Sequence, residues 1–174
     1  GLRHSVLTGI LAIESVLKFA TVIRDESELK ELMNAKRTGE NFILSGPYGE
    51  LVYEEEERKI ALIAGGIGVT PFVGILKYLT DAGLETEATL FYSSRNVAAT
   101  AFYDQLEQLS EQNERITVAY AMTADPAFAG HRGRIDRHFI RDRVPDFADR
   151  VWYVAGPPEF VASVNHLLRT ELRL

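Results

Sequence analysis

The residues best placed to do chemistry carry almost no reactive side chains. Ala64-Gly65-Gly66-Ile67-Gly68-Val69-Thr70-Pro71 lies between a short apolar run, Ile60-Ala61-Leu62-Ile63-Ala64, and a stretch of helical spacing. Glycines there let the backbone turn tightly and approach an anion with no Cβ in the way. The N–H groups at a helix start, with the positive end of its dipole, then attract a phosphate. Pro71 in the first helical turn lacks a donor that had no helical partner in any case. Such a turn suits the pyrophosphate of a dinucleotide. It departs from GxGxxG, because Pro71 stands where a third glycine would be, and it has no P-loop lysine–serine pair. A second glycine turn, Ala155-Gly156-Pro157-Pro158, follows the apolar run Val151-Trp152-Tyr153-Val154-Ala155, and a third, Gly46-Pro47-Tyr48-Gly49, precedes both.

Other chemistries find little support. There is no cysteine, which removes disulfides, cysteine-held iron–sulfur clusters and thiol nucleophiles. His4, His131, His138 and His166 show no metal-ligand spacing, so no metal site is expected. No side chain stands out as a general acid or base, and no catalytic residue is assigned. Nineteen Lys and Arg against 25 Asp and Glu give a net charge of −6, which argues against nucleic acid or an anionic membrane as the main partner. The most apolar N-terminal stretch, 6–23, is interrupted by Glu14 and Lys18, so no membrane span is expected and a cytoplasmic location follows by default.

The elements that must position these turns alternate regularly. Short apolar runs predict strands over 60–64, 88–92, 116–120 and 151–155, and helical spacing predicts helices over 71–79, 99–109, 136–143 and 159–169. Strand–helix alternation specifies an α/β domain with an open parallel sheet and right-handed crossovers. The N-terminal third reads differently. Residues 16–23 alternate like a strand with one wet face, 27–35 suit a short helix, and 41–44 and 50–53 suit further strands. This is a piece of antiparallel β structure with too few strands to close a barrel. The charged run 54–59 reads as a solvated connector, giving two units, 1–53 and 54–174.

Gly65-Gly66-Ile67-Gly68-Val69-Thr70-Pro71 resembles the GGxGxTP segment of the ferredoxin–NADP⁺ reductase superfamily. Ala155-Gly156-Pro157-Pro158-Glu159-Phe160 is similar to its C/A-G-P-P-x-M element, and Gly46-Pro47-Tyr48-Gly49 to the turn that joins its flavin and nucleotide domains. Ser93-Ser94-Arg95 and Gly133-Arg134-Ile135 sit where the family has similar segments. The resemblance implies a ferredoxin reductase-like NAD(P)-binding domain over 54–174, preceded by a partial FAD-binding segment over 1–53. It implies that Gly65, Gly66, Gly68, Val69, Thr70 and Pro71 face the nucleotide, with Gly66, Gly68 and Thr70 lining the pyrophosphate and nicotinamide. Ala155, Gly156, Pro157 and Pro158 would form the opposite lip, and Ser94, Arg95 and Thr123 the remaining contacts. Arg3 and Ser5, in Arg3-His4-Ser5, stand where the family's flavin-binding R-x-Y/F-S/T lies, without its aromatic residue. The family's closing fifth strand has no counterpart after Glu171.

The activity implied is NAD(P)H-dependent flavin oxidoreduction: hydride from nicotinamide to FAD, then electrons to a separate acceptor. That acceptor would be a ferredoxin, a flavodoxin, an oxygenase component or a small molecule. A 2′-phosphate needs a nearby cation, yet Met122-Thr123-Ala124-Asp125 offers Asp125 instead, so NADH is favoured. Arg95 and Arg132 leave NADPH open. Two other readings compete: a nucleotide-binding or regulatory module without turnover, and the nucleotide-binding half of a larger complex.

Overall fold

The computed structural model describes residues 2–5, 10–13, 16–19, 35–40 and 51–174. Alternation of strand and helix produces the expected parallel sheet. Its strands are β1 (Leu2–Ser5), β4 (Lys59–Gly65), β5 (Glu87–Ser94), β6 (Ile116–Met122), β7 (His131–Arg132) and β8 (Val151–Ala155). They lie in the order β1-β8-β4-β5-β6-β7, and every neighbouring pair is parallel. Two further short strands, β2 (Ile10–Ile13) and β3 (Val16–Phe19), pair antiparallel with each other.

Period-two alternation divides the sheet's side chains between two cores. Ile60, Leu62, Ala64, Leu90, Tyr92 and Tyr153 point to one face, where α1 (Thr70–Asp81) and α2 (Tyr103–Gln112) bring Phe72, Leu76, Leu79, Leu106 and Leu109. Ala61, Ile63, Phe91, Trp152 and Val154 point to the other, beneath α3 (Arg137–Arg143) and α4 (Pro158–His166) with Phe139, Ile140, Val161 and Val164. Both faces are therefore covered, and this explains why β4 and β8 read as continuous apolar runs. Phe91 stacks on Trp152 at 6.3 Å between ring centres and meets Phe139 edge-on at 5.6 Å.

Helix boundaries follow local chemistry. Gly83, at φ +62°, ends α1 in a Schellman turn, with Leu84 N–H donating to the Leu79 carbonyl and Gly83 N–H to that of Thr80. Asp136 caps α3 by accepting from Phe139 N–H at 2.8 Å. The helix expected over 99–109 starts later, at Tyr103. Asn96 accepts from Ala99 N–H at 2.9 Å and its carbonyl from Thr100 Oγ1 at 2.8 Å, which forms a separate 3₁₀ turn over Val97–Ala99. Phe102 then takes a left-handed φ of 60° before α2 begins.

The N-terminal third differs from expectation in two places. Leu2–Ser5 adds a parallel strand to the sheet, with Arg3 opposite Tyr153 and Ser5 opposite Ala155. A strand from the start of the chain thus occupies the edge beside β8. Residues 51–53 are not a strand, because they are tied down by side chains instead. The buried Tyr153 hydroxyl donates to Glu57, with the Val52 carbonyl 3.2 Å away, and Tyr53 shares a 2.8 Å hydrogen bond with Thr86. The connector is therefore anchored rather than simply solvated. All but the last residue of the helix expected over 27–35, the strand over 41–44 and the Gly46–Gly49 turn lie outside the described residues.

Candidate functional site

Chain order reverses between β4 and β8. From β4 the chain moves outward through β5, β6 and β7, then crosses the other face and returns as β8 on β4's opposite side. In open parallel sheets the crevice at the carboxyl ends of two such strands is where ligands bind. The two glycine turns stand at those ends: Gly66–Val69 forms a 3₁₀ turn after β4, and Gly156-Pro157 leads from β8 into α4.

The glycines of the two turns do different things. A Cβ on Gly68 would lie 2.5 Å from the Ala155 carbonyl oxygen and 2.6 Å from Gly156 Cα, so the two turns meet backbone to backbone there. A Cβ on Gly65 would fall 2.7–3.0 Å from the Phe160 ring, and one on Gly156 would fall 2.7 Å from it. Gly66 is the exception. It is exposed, has φ +52°, and a Cβ there would meet nothing within 4 Å. Glycine at 68 is thus required by the neighbouring backbone, whereas the open space over Gly66 is what an anion could fill.

Around this opening the side chains support the turn. Val69 and Thr70 are fully buried, and Thr70 Oγ1 donates to the Ile67 carbonyl at 2.8 Å, which locks the 3₁₀ turn onto α1. Their contribution to a ligand would come through backbone groups. Pro71 sits in the first turn of α1, and Pro158 in the first turn of α4, so both glycine turns deliver a helix N-terminus to the same crevice. Ala155 is buried, while Pro157 and Pro158 are exposed on the lip.

A second cluster stands on the same sheet edge, at the ends of β5 and β6. The Ser94 carbonyl accepts from Thr123 N–H at 2.9 Å and from Thr123 Oγ1 at 3.1 Å, and the Arg95 carbonyl accepts from Ala124 N–H at 2.8 Å. Ser94, Arg95 and Thr123 are therefore zipped into one ledge. Arg95 is exposed on it, and Arg132 donates to the Pro126 carbonyl at 3.0 Å. Gly65 pairs with Ser93, which sets the two clusters side by side. The backbone of Arg3 and Ser5 runs along β8 and ends beside Ala155. Phe160 had no role assigned from sequence. The usable signal was an aromatic residue four positions after the Gly156 turn, beside two strand ends lacking side chains.

The opposite end of the sheet is built from charges. Arg150, whose side chain is 8% exposed, grips Asp146 through Nε at 2.9 Å and Nη2 at 3.2 Å. Its Nη1 reaches the Ile60 carbonyl and Thr89, and Lys59 donates to Asp146 at 2.9 Å. Burial pushes the Asp146 carboxyl up, but the hydrogen bonds from Arg150 and Lys59 outweigh it and hold the group at about 2. On the α1/α2 face, burial raises the Tyr92 hydroxyl to about 12, and that hydroxyl accepts from Ala101 N–H.

Comparison with known proteins identifies the family of this segment. A family model described as the oxidoreductase NAD-binding domain matches residues 62–166, more than half of the chain. NADH-cytochrome b5 reductase 2 of Mycosarcoma maydis is 27% identical over 139 residues, covering 76% of this chain and 40% of its own length. A flavohemoprotein of Halalkalibacterium halodurans is 30% identical over 144 residues, covering 75% and 33%. The chain thus spans well under half the length of these curated relatives. Among solved structures, the CS-b5R domains of human Ncb5or in the NAD⁺ form superpose with a TM-score of 0.77 at 19% identity, over 96% of this chain and 52% of that one. A ferredoxin NADP⁺ reductase from Neisseria gonorrhoeae with bound FAD and NADP gives 0.73 at 19% identity, over 92% and 70%. Among the described residues, no helix is long and apolar enough to cross a membrane.

Proposed function

We propose that this chain, which belongs to the oxidoreductase NAD-binding domain family, is the nicotinamide-nucleotide half of an NAD(P)H-dependent flavin oxidoreductase that passes electrons to a separate acceptor. One observation carries the reading: two glycine turns with helix N-termini converge on the switch point between β4 and β8, and Gly66 leaves open space there. The pyrophosphate would sit over Gly66 and the start of α1, held by backbone N–H groups and two helix dipoles. The nicotinamide would lie against Ala155, Gly156, Pro157 and Pro158, and the adenosine on the ledge of Ser94, Arg95 and Thr123. Flavin, when bound, supplies the hydride acceptor. Orienting the nicotinamide and excluding water from it are what this chain's residues contribute, and neither task needs a general acid or base.

NADH is the preferred donor in this account. The ledge carries Asp125 beside Thr123 and Ala124, and Arg132 is already engaged with the Pro126 carbonyl. A 2′-phosphate would meet a carboxylate, and Arg95 is an exposed cation on the same ledge. The division at 53/54 belongs to the same proposal, with 54–174 as the nucleotide unit, to whose sheet Leu2–Ser5 of the preceding segment adds an edge strand that brings Arg3 and Ser5 beside β8. Named relatives that pass electrons to cytochrome b5, or that serve as the reductase subunit of glycine betaine monooxygenase, support a protein acceptor.

The test begins with the purified protein. Flavin absorbance that bleaches on adding NADH, with reduction of a dye acceptor, is the expected result. A protein that binds NADH, carries no flavin even after incubation with FAD, and reduces no dye would overturn the reductase reading. That outcome would favour a nucleotide-binding module or one half of a larger complex.

A further inference from the structure

The Phe160 ring lies against both glycine turns. It stands under the ends of β4 and β8, where Gly65 and Gly156 leave just enough room for it. A Cβ at Gly65 would fall 2.7 Å from Phe160 Cγ and 2.8 Å from Cδ1, and one at Gly156 would fall 2.7 Å from Cδ1. The ring is half-buried and continues the core beneath α4 formed by Val161 and Val164. On the far side of the same two turns, Gly68 packs on the Ala155–Gly156 backbone. The turns are therefore clamped from two directions, one backbone contact above and one aromatic ring below.

We propose that Phe160 is a positioning residue for the nucleotide: its ring buttresses both glycine turns from the α4 side, and so holds in place the backbone that takes the pyrophosphate and nicotinamide. The inference rests on the nucleotide reading given above. The β4–β8 ladder runs to Ala64 and Ala155 and sets the spacing of the strands, while the ring packs across the two glycine ends just beyond it; removing the ring leaves a cavity beneath both turns into which their backbone can relax. The adenosine ledge does not depend on this ring. It is held by its own hydrogen bonds between Ser94, Arg95, Thr123 and Ala124.

The test compares Phe160→Ala and Phe160→Leu with the unaltered full chain, using NADH and AMP as probes, with amide hydrogen exchange in parallel. NADH spans both turns and the ledge; AMP reaches the ledge and not the nicotinamide lip. Phe160→Ala is expected to weaken NADH at least tenfold and AMP less than twofold. Exchange should accelerate at 66–69 and 156–159 and stay unchanged at 94–96 and 123–125. Phe160→Leu, which keeps most of the volume and folds even if the alanine variant does not, should show the same pattern at smaller amplitude. Equal loss for NADH and AMP, or unchanged NADH affinity with unchanged exchange at the two turns, would overturn the proposal. If the unaltered chain does not bind NADH, the nucleotide reading fails, and the exchange pattern still decides whether Phe160 clamps the turns.

Discussion

The two ends of the parallel sheet solve the same problem in opposite ways. At the amino ends of β4, β5 and β8 the backbone is closed off by side chains, with Arg150 joining Asp146, Thr89 and the Ile60 carbonyl, and Lys59 completing the network. At the carboxyl ends the side chains are withdrawn. Gly65, Gly68 and Gly156 are required by close internal contacts, and Gly66 faces open space. One end uses charge to satisfy itself. The other leaves backbone N–H groups and the N-terminus of α1 with no charge in its first turn, whereas α4 carries Glu159 there, so the α1 turn is the one disposed to accept an anion from outside.

Substitutions at each end should separate stability from binding. The largest effect is expected for Gly68→Ala, because its Cβ would meet the Ala155 carbonyl backbone rather than a flexible side chain. A loss of about 3 kcal/mol or more in chemical denaturation, together with loss of NADH binding, is the expected outcome. A variant of ordinary stability would show that the two turns are not in contact.

Asp146→Asn should come next. A carboxyl held at about 2 contributes stability that is present above its unfolded value near 4 and is lost as pH falls through about 2. The variant should therefore be less stable by about 2 kcal/mol at pH 7, with the difference closing towards pH 2. NADH affinity of the folded variant should not change. A changed affinity would mean that the two ends are coupled and the contrast drawn here is wrong.

Gly66→Ala reverses the pattern. Holding alanine at φ +52° costs only about 1 kcal/mol, yet its methyl group enters the opening, so titration should show NADH binding weakened at least tenfold. Smallest is Ala124→Arg, which places a cation on the adenosine ledge. It should raise NADPH affinity relative to NADH several-fold, and an unchanged ratio would move the specificity-determining residues elsewhere.

Much of this contrast was legible from sequence at one end only. Apolar runs bounded by glycine gave β4 and β8 and placed both turns at strand ends, since burial on two faces leaves that pattern and little else does. The reasons for the individual glycines were not legible. Gly68 and Gly66 look alike in a string, and only the approach of β8 distinguishes a residue with no room for a Cβ from one with ample room. Phe160 was hidden because Gly65, one of its two partners, lies on a strand far away in the chain. At the charged end, Lys59 closed a run that reads as solvated, and its pairing with Asp146 across 87 positions follows from the crossover rather than from any local rule. Likewise, the strand at Leu2–Ser5 beside β8 has no periodicity signal at four residues.

Direct titration of NADH into the purified chain, followed by calorimetry with ADP-ribose as the control ligand, tests the central claim most directly. Saturable one-to-one binding of NADH, weakened at least tenfold in Gly66→Ala while the variant keeps its cooperative unfolding, is the predicted result. A folded, unaltered chain that takes up neither NADH nor ADP-ribose at millimolar concentration would contradict it.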